Sequence, residues 1–356
     1  MEALFDFAIV IPLYNKAFYI KQTIESVKNQ TYGSWQIIVI DDDSTDDSYE
    51  ITETLKQEFS DDNKFKLVRR RDFSPDKKGG SVCRNIGLKL SSSKFLLFLD
   101  ADDLLLPFCL KNRIDHIQRY PYNDMYIFNV AYCKGVNKQV YLKQMPSTWT
   151  KFCFYIAHNK RRFFLKHFLV SDVMWHTSGP IWDSEFINRI GGFNEDFQRL
   201  QDPEIHTRAL LETNIKLKYL MHRSDYDILH RTDDDRIVWD RMEFFDKRIK
   251  AIEQYIKYFS NSIEHSERKY LKYLQGYLIL AETLAYRHMR SELDNSNIGV
   301  YLSEIDKLYQ INLVKVLCDQ KFYFFKKIYR KLISNKALIK MKLPGVLLIL
   351  YKKVIL

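Results

Sequence analysis

The sequence has no uninterrupted apolar run of about 18 residues, so no membrane-spanning helix is expected. Its five cysteines (Cys83, Cys109, Cys133, Cys153 and Cys318) are scattered, odd in number and never spaced Cys-x-x-Cys. That excludes a zinc ribbon or disulfide frame and fits a reducing compartment. Only 11 glycines occur, none arranged as Gly-x-Gly-x-x-Gly or as a lysine-bearing phosphate loop, which argues against dehydrogenases and ATPases. The N-terminus lacks the basic-then-apolar signature of a secretory leader: Glu2 and Asp6 flank Phe5. Acidic residues are missing altogether from Lys321 to Leu356, where there are ten Lys and Arg. Removing these ten from the 55 basic residues leaves 45, equal to the 45 Asp and Glu. The net charge of +10 is therefore a localised appendage rather than a basic fold.

What is present is enough for a large core. The chain has 356 residues and is 46% hydrophobic, which suggests two domains or one large domain with an appendage. Apolar runs at Phe7–Ile11, Trp35–Ile40, Phe65–Arg69, Phe95–Leu99 and Met125–Val130 read as buried strands. Between them lie helical stripes. One runs from Lys16 to Lys28 through Phe18, Ile20, Ile24 and Val27. Another passes through Tyr49 and Leu55, with Ser44 or Thr45 as its cap. A third follows Gly79-Gly80-Ser81 and carries Arg84, Asn85 and Gly87. This alternation predicts an α/β fold, a doubly wound sheet with helices on both faces.

Two of the strands end in acids, Asp41-Asp42-Asp43 and Asp100-Ala101-Asp102-Asp103. Right-handed crossovers bring such tips to one edge, where open α/β sheets bind ligands. Clustered carboxylates repel unless a cation lies between them. A hard divalent ion, Mg²⁺ or Mn²⁺, suits oxygen ligands and a substrate phosphate. The competing reading of Asp100–Asp103 is a turn with an Asp cap ahead of Pro107.

The motifs are Pro12-x-Tyr14-Asn15, Ser26-Val27-x-x-Gln30-Thr31-Tyr32, Asp41-Asp42-x-Ser44-Thr45-Asp46, Gly80-x-x-x-Arg84-Asn85-x-Gly87-Leu88 and Phe98-Leu99-Asp100-x-Asp102-Asp103. In this order and spacing the chain resembles family-2 glycosyltransferases of the GT-A fold, of the bacterial surface-polysaccharide type, over about residues 5–235. The resemblance implies a GT-A-like mixed sheet over 1–235. Its nucleotide-sugar half would be 1–120 and its acceptor half 121–235. A helical region (236–320) and a basic amphipathic tail (321–356) follow.

By the same resemblance Pro12, Tyr14, Asn15, Asp42, Arg84, Asp100 and Ala101 bind the nucleotide sugar, with Asp42 reading the base. A carboxylate suits the uracil N3–H donor. Asp42 otherwise reads as an Asx turn, and Arg84 as a surface arginine. Asp43 stands where the family has glycine. Asp102 and Asp100, with His230 of Tyr226-Asp227-Ile228-Leu229-His230, are the implied ligands of Mn²⁺ or Mg²⁺. His230 otherwise reads as a surface histidine ahead of the turn Thr232–Asp235. Asp103 reads as a cap.

Asp202, in Gln201-Asp202-Pro203-Glu204, aligns with the family's general base, where the family has Glu-Asp. It also reads as an N-cap with Pro203 at the first helical position, and the two roles are compatible. The aromatics Phe163, Phe164, Phe168 and Trp175 either floor an acceptor-sugar site or pack a core.

In the tail, Phe322, Phe325, Ile328, Tyr329, Leu332 and Ile333 form one apolar face beside Lys326, Lys327, Arg330 and Lys331. A short apolar run, Leu343–Tyr351, and Lys352-Lys353 follow. This predicts docking on an anionic membrane surface rather than nucleic-acid binding; the rival is packing on the catalytic domain. The resulting expectation is an inverting, metal-dependent transferase, cytoplasmic and peripheral on the inner face of the cell membrane. Its donor would be a nucleotide-diphosphate sugar, UDP-linked, and its acceptor a glycan or a lipid-linked sugar. The alternatives are a sugar-nucleotide nucleotidyltransferase and a non-enzymatic basic scaffold. The first needs a Gly-rich, Arg-containing loop after strand one, and Pro12-Leu13-Tyr14-Asn15 is not one.

Overall fold

The computed structural model describes residues 4–59, 61, 63–134, 139–143, 153–220, 226–232, 241–291, 298–310, 318, 320–333, 347, 350 and 351. The chain divides into two compact units. One comprises Met1–Arg161 and Trp175–Asp235, the other Arg162–Met174 and Arg236–Leu356.

The first unit is built on a seven-stranded mixed sheet. Its strands are β1 (Phe5–Leu13), β2 (Trp35–Asp41), β3 (Phe65–Arg69), β4 (Ser93–Phe98), β6 (Met125–Ile127), β9 (Pro180–Asp183) and β10 (Leu217–Tyr219). The spatial order is β10-β6-β9-β4-β1-β2-β3. β1 runs parallel to β2 and β4, with Val10 opposite both Ile38 and Phe98, whereas β9 is antiparallel to β4 and β6. Both faces of β1, β2 and β4 are covered, so their apolar runs are continuous rather than alternating. A second sheet, in the order β5-β11-β7-β8, comprises β5 (Leu104–Leu105), β7 (Val130–Lys134), β8 (Gln139–Lys143) and β11 (Ile228–Arg231).

Helices α1 (Ile20–Lys28), α2 (Ser48–Lys56), α3 (Gly80–Leu90) and α4 (Cys109–Arg119) connect the strands. Helix α3 lies close on the sheet because residue 87 is glycine. A Cβ there would stand 2.2 Å from Cγ1 of Val10. Further along are α5 (Lys160–Leu169), most of which belongs to the second unit, and α6 (Ser184–Arg189) and α7 (Gln201–Leu211) in the first.

Two sequence expectations are corrected. The run Met125–Val130 is not one strand: it breaks at Phe128-Asn129, so β6 joins the large sheet and β7 the small one. Helix α2 starts at Ser48 and is not capped by Ser44 or Thr45. Those hydroxyls instead meet Asn15, and Asp46 accepts the Ser48 N–H at 3.1 Å. Of the two readings of the aromatics, core packing holds for Phe164, Phe168 and Trp175, which are fully buried, whereas Phe163 is half-buried.

The second unit is helical: α8 (Arg241–Ser262), a 3₁₀ segment (His265–Leu274), α9 (Gln275–Ser291), α10 (Ile298–Gln310) and α11 (Gln320–Ile333). Buried tyrosines, Tyr255, Tyr277, Tyr301 and Tyr329, dominate its core. Helix α11 buries Phe322, Phe325 and Tyr329. Its Arg330 donates to the buried Glu282 at 2.8 Å, so part of the tail is structural. The opposite face leaves Tyr323, Phe324 and Ile328 exposed by 42%, 67% and 39%. No described helix is long and apolar enough to cross a membrane. Of the run Leu343–Tyr351 only 347, 350 and 351 are described; Lys352-Lys353 and Asp233–Asp235 lie outside the described residues.

Candidate active site

The parallel register of β1, β2 and β4 sets their carboxyl ends side by side. The Asp42 N–H donates to the Leu13 carbonyl at 2.8 Å, and the Leu99 N–H to that of Val10 at 3.0 Å. The two acidic tips thus flank the segment Tyr14-Asn15-Lys16. A cavity of about 270 Å³ opens there. It is lined by Pro12, Tyr14, Asp42, Asp100, Ala101 and Asp102, all singled out from the sequence, together with Leu13, Lys16, Gly80 and Cys83. Acids 60 residues apart therefore face one cleft, as the sheet topology requires.

Each acid is held differently. Asp42 accepts from Arg70 Nε at 2.9 Å and from the Gly79 N–H at 2.8 Å. Gly79 has φ of 110°, a conformation that glycine adopts without penalty, and this aims its N–H at the carboxylate. Burial lifts the Asp42 pKa above its ordinary value, against the pull of Arg70 and Gly79. Asp43 takes φ of 60° where the resemblance expected glycine, and it is tied there by Arg70 and Arg71.

Arg84 is not a surface residue. It is 6% exposed, and its Nη2 donates to Asp100 at 2.7 Å while Nη1 donates to Gln201 Oε1 at 3.1 Å. Burial alone would raise the Asp100 pKa, but Arg84, His176 and His230 together lower it. Asp102 pairs with Lys16. Asn15 does not line the cavity. Its Oδ1 accepts the Thr45 N–H at 2.8 Å, fastening the two loops.

Asp103 caps no helix. It is fully buried, and it accepts from His230 Nδ1 at 2.8 Å and from the Arg231 N–H at 3.1 Å. His230 sits in β11 rather than on a surface turn. Burial would depress its pKa, but Asp103, Asp100 and Asp102 outweigh that and raise it to about 9. His176, which no sequence motif had flagged, lies against it with ring centroids 4.0 Å apart. Ligating atoms of Asp100, Asp103, His176 and His230 fall within 4.8 Å of one another, a donor set that fits a divalent cation.

Asp202 lies in the first turn of α7, whose N-cap is Leu200 in the left-handed region at φ of 58°. The expected cap is corrected accordingly: Gln201 leads the helix, and Pro203 sits within the first turn, where no intrahelical donor is needed. Gln201 Oε1 accepts from Ser81 at 2.8 Å as well as from Arg84, so it ties α7 to the cleft. Oδ1 of Asp202 is buried with no hydrogen-bond partner. Such an atom calls for a reason.

Behind the histidines stands a strut that sequence reasoning also missed. Fully buried Arg113 donates to Asp227 through Nε at 2.9 Å and Nη2 at 2.7 Å, and to the Ser178 carbonyl at 3.2 Å. It ties together the segments bearing His176 and His230.

Residues 8–179 match the model of the glycosyl transferase family 2 domain. The minor teichoic acid biosynthesis protein GgaA of Bacillus subtilis is 30% identical over 200 residues, 52% of this chain and 43% of that protein. An Escherichia coli protein is 35% identical over 119 residues, 33% of this chain and 44% of its own length. It is the UDP-Glc:alpha-D-GlcNAc-diphosphoundecaprenol beta-1,3-glucosyltransferase WfgD. The chain spans less than half the length of the curated relatives it matches. Among solved structures, S. aureus TarS 1-349 in complex with UDP-GlcNAc superposes with a TM-score of 0.57 at 16% identity. That match covers 86% of this chain and 81% of TarS 1-349, and at such identity it shows a shared fold.

Proposed function

Residues 8–179 form a glycosyl transferase family 2 domain, and from that premise we propose that the chain is an inverting glycosyltransferase. It takes a sugar from a UDP-linked donor to a hydroxyl of a glycan or lipid-linked acceptor in cell-surface polysaccharide synthesis. The observation that carries this reading is the single cavity shared by Asp42, Asp100 and Asp102. The E. coli relative, whose name specifies UDP-Glc and a diphosphoundecaprenol-linked acceptor, supports the choice of donor and acceptor class.

In this reading Asp42, fixed by Arg70 and Gly79, accepts from the base, and Pro12, Tyr14 and Ala101 line the donor's path. Arg84 acts by holding Asp100 in place, and Asn15 by fixing the loop that carries Tyr14 and Lys16. Asp100, Asp102 and His230 are the residues to hold Mn²⁺ or Mg²⁺. A cation held by them would supply charge neutralisation for the departing diphosphate.

The acceptor oxygen bonds to the anomeric carbon on the face opposite the diphosphate. The bond from that carbon to the diphosphate oxygen breaks, and its electron pair leaves with the diphosphate. The acceptor proton passes to the carboxylate of Asp202. The exposed face of α11, with Lys321, Lys327, Tyr323 and Phe324, docks on an anionic membrane surface at the cytoplasmic side.

The test is Asp202→Asn. Transfer should fall by about 10² to 10⁴-fold, the usual range for removing a general base. Metal-dependent UDP binding should stay within about twofold of wild type. Loss of both together would give Asp202 a structural role instead.

A further inference from the structure

The two histidines carry an inference that rests on the metal-dependent reading above but concerns a residue outside its motifs. His176 lies just ahead of β9 and His230 within β11, and their rings are 4.0 Å apart at 43°. In each ring Nδ1 is already engaged. His230 Nδ1 bonds to Asp103 at 2.8 Å, and His176 Nδ1 to Ser178 Oγ at 2.9 Å. A bond to one ring nitrogen sets the orientation of a histidine ring, and such a ring can ligate an ion through its other nitrogen.

Asp103, by contrast, is committed. It is fully buried, both of its oxygens lie within 3.0 Å of His230 Nδ1, and Oδ1 also takes the Arg231 N–H. One ligand atom from each of Asp100, His176 and His230 lies within 4.8 Å of the others. Donors placed about 2.1 Å from a common ion would be at most about 4.2 Å apart, so the set is close to assembled.

We propose that His176 is a ligand of the cation in this cleft, alongside His230 and Asp100. Asp103 then serves as the residue that positions His230. Two imidazoles change which ion the site takes. Mg²⁺ favours an all-oxygen shell and keeps its waters, whereas imidazole suits transition ions. The site is therefore selective for Mn²⁺ over Mg²⁺, a choice that the acidic motif alone leaves open.

The test uses the full chain and reads the metal directly. Mn²⁺ is titrated by electron paramagnetic resonance with and without UDP, in competition with Mg²⁺, and pulsed measurements count the nitrogens coupled to bound Mn²⁺. Wild type should show two imidazole nitrogens, and His176→Gln should show one. The variant should bind Mn²⁺ at least tenfold more weakly, with its Mg²⁺ affinity unchanged within twofold. Ser178→Ala keeps the imidazole and should retain both nitrogens with weakened affinity. If His176→Gln fails to fold, the wild-type nitrogen count still decides. One nitrogen in wild type overturns the assignment of His176 while leaving the metal-dependent reading intact. No Mn²⁺ binding even with UDP overturns both.

Discussion

Replacing Arg113 with Met should destabilise the first unit severely, by about 3–5 kcal/mol. The guanidinium is fully buried and makes two bonds to Asp227, which is itself 2% exposed. Burial would lower the arginine's pKa, but Asp227 outweighs it, so the guanidinium stays charged in the folded state. Removing one partner of such a pair strands the other charge without solvent, and that costs about 3–5 kcal/mol. Asn112 Nδ2, 3.3 Å from Asp227, is too weak a substitute. Each kcal/mol shifts the melting temperature of a domain this size by about 2–4 °C, so the expected drop is roughly 6–20 °C. Urea denaturation followed by the fluorescence of the buried Trp35, Trp175 and Trp182 measures it. Replacing both partners with apolar residues of similar size, Arg113→Met with Asp227→Leu, should recover most of the loss, because no orphan charge remains. The reasoning fails if the single change costs under about 1 kcal/mol, or if the double change costs the sum of the two singles.

Two further outcomes are expected. His206 is fully buried, and burial together with His176 holds its pKa down to about 3, so the folded state resists its protonation. The unfolded chain takes up that proton below about pH 6.5, so this contribution to stability is present above pH 6.5 and is lost as pH falls toward 3. Between pH 7 and 5 wild type should lose about 2 kcal/mol more than His206→Leu in urea titrations; equal losses would mean that His206 is accessible to protons when folded. On vesicles containing phosphatidylserine, the full chain should sediment with the lipid and be released by salt. Changing both Lys321 and Lys327 to Ala should weaken this by about 2 kcal/mol, a factor of roughly 30, and binding indifferent to salt and to both changes would remove α11 as the docking element.

The part of the site legible in the sequence is the part made by strand ends. Phe7–Ile11, Trp35–Ile40 and Phe95–Leu99 are continuous apolar runs, and parallel strands must present their following residues at one edge, so the convergence of Asp42 with Asp102 followed from pattern alone. Residues that act singly left no such trace. His176 stands in an irregular segment ahead of β9, outside the motifs that mark the rest of the site. Arg113 has the spacing of an ordinary amphipathic helix, and its partner Asp227 is 114 residues away. Asp103 reads as a turn residue until β11 is seen to pair with β5 and bring His230 to it. Gln201 looked like a departure from the family's acid, yet its amide oxygen is what Arg84 and Ser81 both use. Local chemistry misled at the start of α7, where Asp-Pro suggested a cap and the left-handed Leu200 moved the helix start forward. It misled again at Phe128-Asn129, where the run's hydrophobicity hid a change of sheet.

The most direct measurement is calorimetric titration of UDP into the full chain with and without Mn²⁺, for wild type and Asp42→Ala. Saturable binding is expected that needs Mn²⁺ in wild type and is at least tenfold weaker in the variant. Absence of UDP binding in the presence of Mn²⁺, or binding untouched by Asp42→Ala, would contradict a nucleotide-diphosphate site at these strand ends.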